Sequence, residues 1–127
     1  MRTAGYNIVA TFQTGDITDN NQPWQYENAW NHFFSLFPRE KFPIFCLGNH
    51  DYGNNGSSDT RTSNMPDKFL QKTTQKMEGS YYDNYLTYIS FNAERYAVLV
   101  LEFAPRNEVL EWANEVFARF GSLSSGL

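Results

Sequence analysis

A chain of 127 residues with 41% apolar and 17% aromatic side chains can bury a core, which excludes an intrinsically disordered polymer. A formal net charge of -4 argues against a surface built to neutralise nucleic-acid phosphates, so no nucleic-acid binding is expected, and an anionic substrate would need a metal ion. A single cysteine, Cys46, allows no intrachain disulfide, and the longest apolar run, Ala97 to Leu101, is far below the ~18 residues of a membrane span.

At the N-terminus, Arg2 is the one early positive charge, and the apolar stretch behind it is broken by Thr11 and Gln13, unlike a signal peptide. The segment YNIVATFQTGD is rich in β-branched and aromatic residues and ends at Gly15, which predicts a strand running into a loop that begins with Asp16. Tyr26, Trp30, Phe33, Phe34 and Phe37 recur every three or four positions, one face of a helix that Pro23 opens and Pro38 closes. FPIFCLG is then a continuous apolar run of strand length, as expected when both faces of a strand are covered, and Cys46 within it reads as a small core residue. Strand, helix, strand is a βαβ unit, and parallel pairing would open both polar loops on one sheet edge.

Residues 53 to 80 form a long polar stretch with a short helix predicted around Pro66 to Gln71. YLTYISF and RYAVLVLEF predict an antiparallel hairpin turning near Asn92 and Ala93. Val109, Trp112, Ala113, Val116, Phe117 and Phe120 make an apolar helical stripe with Asn107 as its cap, expected to pack on the sheet. We read one domain over residues 1 to 120, of the α/β class, followed by a flexible tail, GSLSSGL, from 121 to 127.

The chemistry-bearing residues gather behind the two strands of the βαβ unit. Asp16 follows Gly15, and Asn49, His50 and Asp51 follow Gly48. Carboxylate and amide oxygens suit hard cations, a histidine moves protons, and glycines allow the close backbone approach that a crowded site requires.

GDITDN at 15 to 20 and GNHD at 48 to 51, in this order and separated by a helix, resemble the calcineurin-like metallophosphoesterases. LEFAPRNEVLEWANEVFARF, 101 to 120, is similar to a segment of an exported or cell-envelope-associated branch of that family. The resemblance implies a layered αββα architecture with two central sheets, two divalent metal ions (Mn, Fe or Zn), and hydrolysis of a phosphomonoester or phosphodiester. It implies that Asp16 bridges the metals and Asn49 binds one of them. His50 would contact the phosphoryl group or leaving oxygen, with Asp51 orienting it or raising its basicity. The family's earlier aspartate and histidine motif and its later histidines have no counterpart here, since Asp16 is the first acidic residue and His32 and His50 are the only histidines. We therefore read the chain as a fragment of that fold, truncated at both ends and inactive as given. Self-association through an exposed sheet edge is the expected consequence.

Other readings of the same residues stay in view. Asp16 can simply begin a turn, His50 can be a structural loop histidine, and His32, on the predicted helix, reads as a boundary residue rather than a ligand. Asp16, Thr18, Asn20 and Glu27 fall at positions 1, 3, 5 and 12 of an EF-hand loop, but Asn21 replaces its glycine and Pro23 interrupts it. The rival of another class is a non-catalytic folded remnant or interaction module, distinguished from an enzyme by its metal content.

Overall fold

The computed structural model describes residues 8–38, 41–69, 75–78 and 83–123. The fold is of the mixed α/β class. Strand β1 (Phe12–Gln13) runs parallel to β2 (Ile44–Phe45), with Phe12 opposite Ile44 and Gln13 opposite Phe45. Helix α1 (Pro23–His32) crosses between them, so the predicted βαβ unit is present. The regular strands are shorter than the apolar runs that carry them. Among the described residues each has one neighbouring strand, and Ile8 and Val9, upstream in the first run, stand 70% and 48% exposed with no described strand beside them.

Helix α1 starts where the sequence places it. Pro23 occupies its first turn, where a missing N–H costs nothing, and the Gln25 side chain reaches back to accept from the Gln22 and Asn20 amides. Its end differs from expectation. The α-helix stops at His32, and Phe34–Leu36 form a 3-10 turn, with Phe33 leaving helical geometry between them. That break turns the buried Phe34 ring inward against Phe69 at 5.1 Å and Phe45 at 6.3 Å, while Phe33 stays half exposed.

The side chains of β2 and of the two residues after it divide the core. Phe45 and Leu47 point to one cluster with Tyr26, Phe34, Tyr52, Met65 and Phe69, and Trp30 of α1 packs against it. Ile44 and Cys46 point to the other, with Tyr85, Ile89, Val98 and Val100. Both faces of β2 are thus covered, as its unbroken apolar run predicts. Phe69, fully buried, comes from a one-turn 3-10 helix, Asp67–Phe69, inside the stretch expected to contain a short helix. Residues 70 and 71, to which that expectation extended, lie outside the described residues.

Strands β3 (Gln75–Lys76), β4 (Tyr85–Phe91) and β5 (Glu94–Val100) form an antiparallel sheet in that order. The hairpin turns at Asn92 and Ala93, both with positive φ (52° and 64°), the left-handed geometry that matches strand twist in a two-residue loop. The Tyr85 hydroxyl donates to the Phe45 carbonyl at 2.6 Å, tying this hairpin to β2.

Helix α2 (Asn107–Leu123) continues through residues expected to begin a flexible tail, and residues 124–127 lie outside the described set. Its first carbonyl acceptor is Arg106, which receives the Val109 and Leu110 amides, so Asn107 belongs to the helix rather than capping it. Val109, Ala113 and Val116 are buried, and Phe120 meets Tyr88 of β4 edge to face at 6.3 Å. Phe117 corrects the predicted stripe. It is 61% exposed, because its position on the helix lies roughly 80–100° round from the line of Val109 and Val116, on the flank it shares with the exposed Leu110.

Candidate functional site

Two glycines decide how closely the loops behind β1 and β2 approach. A Cβ on Gly15 (φ 106°) would lie 2.7 Å from Gly48 Cα, and one on Gly48 would lie 2.1 Å from Asp16 Oδ1. Neither space exists for a side chain. Asp16, itself at φ 52°, therefore lays its carboxylate over the second loop, where Oδ1 accepts the His50 amide at 3.2 Å. Its other oxygen accepts from no described residue, and the Asn49 side chain likewise makes no hydrogen bond to a described residue.

Asp51 is the joint between the loops. Fully buried, its Oδ1 accepts the Thr18 amide (2.9 Å) and hydroxyl (3.0 Å), and its Oδ2 accepts the amides of Ile17 (3.1 Å) and Gly48 (3.0 Å). The Tyr26 hydroxyl completes the set at 3.4 Å. No Lys, Arg or His side chain among the described residues takes part. A buried carboxylate here is stabilised by oriented backbone dipoles, as charge-assisted hydrogen bonds allow. Burial, and then the Asp51 charge, push the Tyr26 hydroxyl well above its ordinary range, so it acts as a neutral donor.

His50 is oriented by a different group from the one expected. Its Nδ1 lies 2.7 Å from the Asp19 carbonyl oxygen, which can only accept, so Nδ1 carries a proton and, in the neutral form of the ring, Nε2 carries the lone pair. The Asp51 carboxylate, turned to the Ile17, Thr18 and Gly48 amides, makes no hydrogen bond to the imidazole. The Asp19 carboxylate stands 3.8 Å from Nδ1, with both side chains substantially exposed, a pairing worth little unless the ring is protonated. Nε2 is the end left to meet a ligand, on a ring 42% exposed.

Asn21 carries more of the local architecture than its place in a polar run suggests. Buried and at φ 50°, it donates to the Gly53 and Thr62 carbonyls, accepts the Asn64 amide, and offers its own carbonyl to the Asn64 side chain. It fixes the 53–64 loop beside the site. The only hint in the sequence is that asparagine tolerates left-handed backbone where other side chains do not. His32 lies exposed on α1 with Nδ1 on the Asn28 carbonyl, and the EF-hand donors are dispersed: Thr18 faces Asp51, and Glu27 pairs with Lys68 at 2.7 Å.

A second polar cluster escaped the sequence reading. The buried Glu102 carboxylate binds Arg106 through Oε1 (Nε 2.9 Å, backbone N 3.1 Å), and its Oε2 accepts from Asn84 at 3.0 Å. Asp83, next to Asn84, accepts the Tyr52 hydroxyl at 2.9 Å, and Arg61 donates to the Phe103 and Ala104 carbonyls. Burial alone would raise the Glu102 carboxyl, but bonds from Arg106 and Asn84 hold it below its usual range. Every donor and acceptor at its centre is engaged, which makes it a bracket between the hairpin, α2 and the loop after β2.

Asp16 and Asn49 offer oxygen donors of the type that hard divalent cations take, yet no group of three or more His, Cys, Asp or Glu among the described residues is placed to hold a metal ion. Asp16 and Asn49 alone are too few donors for a two-metal centre. No described helix is long and apolar enough to cross a membrane. Compared with models of protein families, with curated proteins and with solved structures, the chain matches none.

Proposed function

We propose that the chain carries part of the site of a phosphate-ester hydrolase of the calcineurin-like metallophosphoesterase kind, in a partial αββα arrangement. In this reading Asp16 and Asn49 face the metals, and His50 faces the phosphoryl group or the leaving oxygen. The observation that carries it is a contrast within the two loops: Asp51, Thr18 and Asn21 are saturated with hydrogen bonds, while Asp16 Oδ2, the Asn49 amide and His50 Nε2 have no partner among the described residues. Groups held in place by their neighbours but left open at the tip are what a binding site requires.

The roles follow from the chemistry of each group. His50, with Nδ1–H fixed on the Asp19 carbonyl, accepts a proton at Nε2 or, once protonated, donates one there to a phosphate or leaving oxygen. Asp51 positions both loops and leaves proton transfer to His50. Metal ions, when bound, would supply the nucleophile and charge neutralisation that an acidic chain lacks. Two donors leave such ions mostly hydrated, so the complete site takes ligands from beyond the described residues, and the chain alone does not turn over.

A second reading, a non-catalytic folded remnant or interaction module, is favoured by one observation: Gly15, Gly48 and Asp51 all have sufficient structural reasons to be present. Metal titration separates the two. Manganese binding followed by electron paramagnetic resonance should be weak and should disappear in Asp16→Ala and Asn49→Ala. Binding unchanged in both variants would remove these residues from the role. Metal-dependent turnover of p-nitrophenyl phosphate or its bis ester that vanishes in His50→Ala would show that the chain completes its own site.

A further inference from the structure

Gly56 is packed against the inner wall of the two-loop region. Buried and at φ 70°, it leaves no space for a Cβ, which would lie 2.6 Å from the Asp19 carbonyl oxygen and 3.0 Å from that of His50. Those carbonyls belong to the residue that orients the histidine and to the histidine itself. The residue before it, Asn55, is exposed, stands at φ 49° and ψ 37° within a 3-10 turn, and is the only asparagine in the chain followed by glycine.

We propose that Asn55 is a site of spontaneous covalent modification, in which its side chain closes on the Gly56 amide to a succinimide that opens to aspartate and isoaspartate. A following glycine has no side chain to hinder the approach of its backbone nitrogen, but at ψ 37° that nitrogen lies nearly opposite the Asn55 side chain, so the attack follows a local opening of the 54–56 turn that rotates the Asn55 Cα–C bond. The Gly56 nitrogen attacks Asn55 Cγ, a new C–N bond forms, and the bond from Cγ to Nδ2 breaks. The Gly56 amide proton leaves through water, and ammonia departs. Gln22 Nε2 donates to Asn55 Oδ1 at 3.0 Å, the oxygen on which charge develops during the attack. The leaving nitrogen is not hydrogen-bonded to any described residue. Water then adds to one of the two imide carbonyls, giving aspartate with the original backbone or isoaspartate with the chain routed through Cγ. No oxidant, reductant or cofactor enters the balance.

The consequence is local and specific. Either product adds a carboxylate to a chain already at -4, beside the exposed Asp59 and Asp19. Isoaspartate also lengthens the backbone by one atom where Gly56 has no slack, so it must lift the 54–56 turn off the Asp19 and His50 carbonyls. Ageing at one exposed residue would then loosen the support of the His50 ring.

The test ages the purified, folded chain in mildly alkaline buffer at physiological temperature, with peptide mapping by mass spectrometry and an enzymatic isoaspartate assay. The first site to gain about one dalton should be Asn55, with isoaspartate exceeding aspartate, and Asn55→Gln should hold its charge over the same period. In the aged fraction, hydrogen exchange should rise in the 48–56 segment ahead of the rest of the chain. Conversion at other asparagines while Asn55 keeps its amide would overturn the proposal. So would an unchanged folded chain under conditions in which a free peptide spanning residues 52 to 59 converts. If Asn55→Gln fails to fold, the mapping of the unsubstituted chain still decides.

Discussion

Asp51 and Glu102 are both fully buried carboxylates, and they are neutralised in opposite ways. Among the described residues Asp51 accepts from three backbone amides and two hydroxyls and from no Lys, Arg or His side chain, whereas Glu102 binds a guanidinium and an amide side chain. The first arrangement fixes main chain to main chain, so it sets the distance between two loops. The second engages one backbone amide, that of Arg106, and otherwise fixes side chain to side chain, which tolerates adjustment. The region that joins the two loops behind β1 and β2 uses the stiffer device, and the region that joins a hairpin to a helix uses the softer one.

The largest expected effect tests the stiffer device. Asp51→Ala would leave the Ile17, Thr18 and Gly48 amides without an acceptor at a buried joint, each costing about 1–3 kcal/mol, for a total of roughly 4 kcal/mol or more after partial rescue by water. Urea unfolding monitored through the tryptophans measures it. A loss below about 1 kcal/mol would mean the loops do not depend on this carboxylate.

The softer device is expected to respond to pH. The folded-state Glu102 carboxyl lies below its unfolded value, so its contribution is present in full above the ordinary carboxylate range and is lost as pH falls through the folded value. Glu102→Gln should destabilise by about 1–3 kcal/mol at neutral pH, and the gap from the unsubstituted chain should close as pH falls below the ordinary carboxylate range. A gap that is flat from neutral to acid would assign the stabilisation to packing. Raising salt should narrow the neutral-pH gap slightly, since Arg106 is partly exposed while Glu102 is not.

Much of the frame was legible in the sequence because local signals carry it. The apolar run of β2 with covered faces, the hairpin turning at Asn92 and Ala93, and an amphipathic helix after Asn107 all follow from spacing and turn chemistry over a few residues. What failed to show was contact across long separations. Phe69 sits at the centre of the larger cluster because a polar loop returns it to α1, and nothing near it in sequence announces that. Of the four residues singled out, Asp16, Asn49, His50 and Asp51 do lie on adjoining loops, but the division of labour among them could not be read. Whether Asp51 faces the imidazole or the amides of residues 17, 18 and 48 depends on how closely Gly15 and Gly48 approach.

Smaller effects belong to the hairpin and α2. Ala93 holds φ 64° in a two-residue turn, where an L side chain costs about 1 kcal/mol, so Ala93→Gly should stabilise by a few tenths to about 1 kcal/mol after the entropy lost to glycine is counted. A destabilised variant would indicate a turn of different geometry.

The smallest expected effect is also the sharpest correction to the pattern reading of α2. Periodicity assigns Val116 and Phe117 alike to the apolar stripe, yet Val116 is 3% exposed and Phe117 61%. Size argues that the phenylalanine should matter more, but burial decides, because a ring already in water gains little by being there. Val116→Ala should cost about 1–3 kcal/mol and Phe117→Ala no more than about 0.5 kcal/mol. Equilibrium unfolding of the two variants at several protein concentrations checks both values. A large, concentration-dependent cost for Phe117→Ala would mean that its ring is covered by a second copy of the chain. A large cost independent of concentration would put Phe117 in the core and return the helix face to the one the sequence predicts.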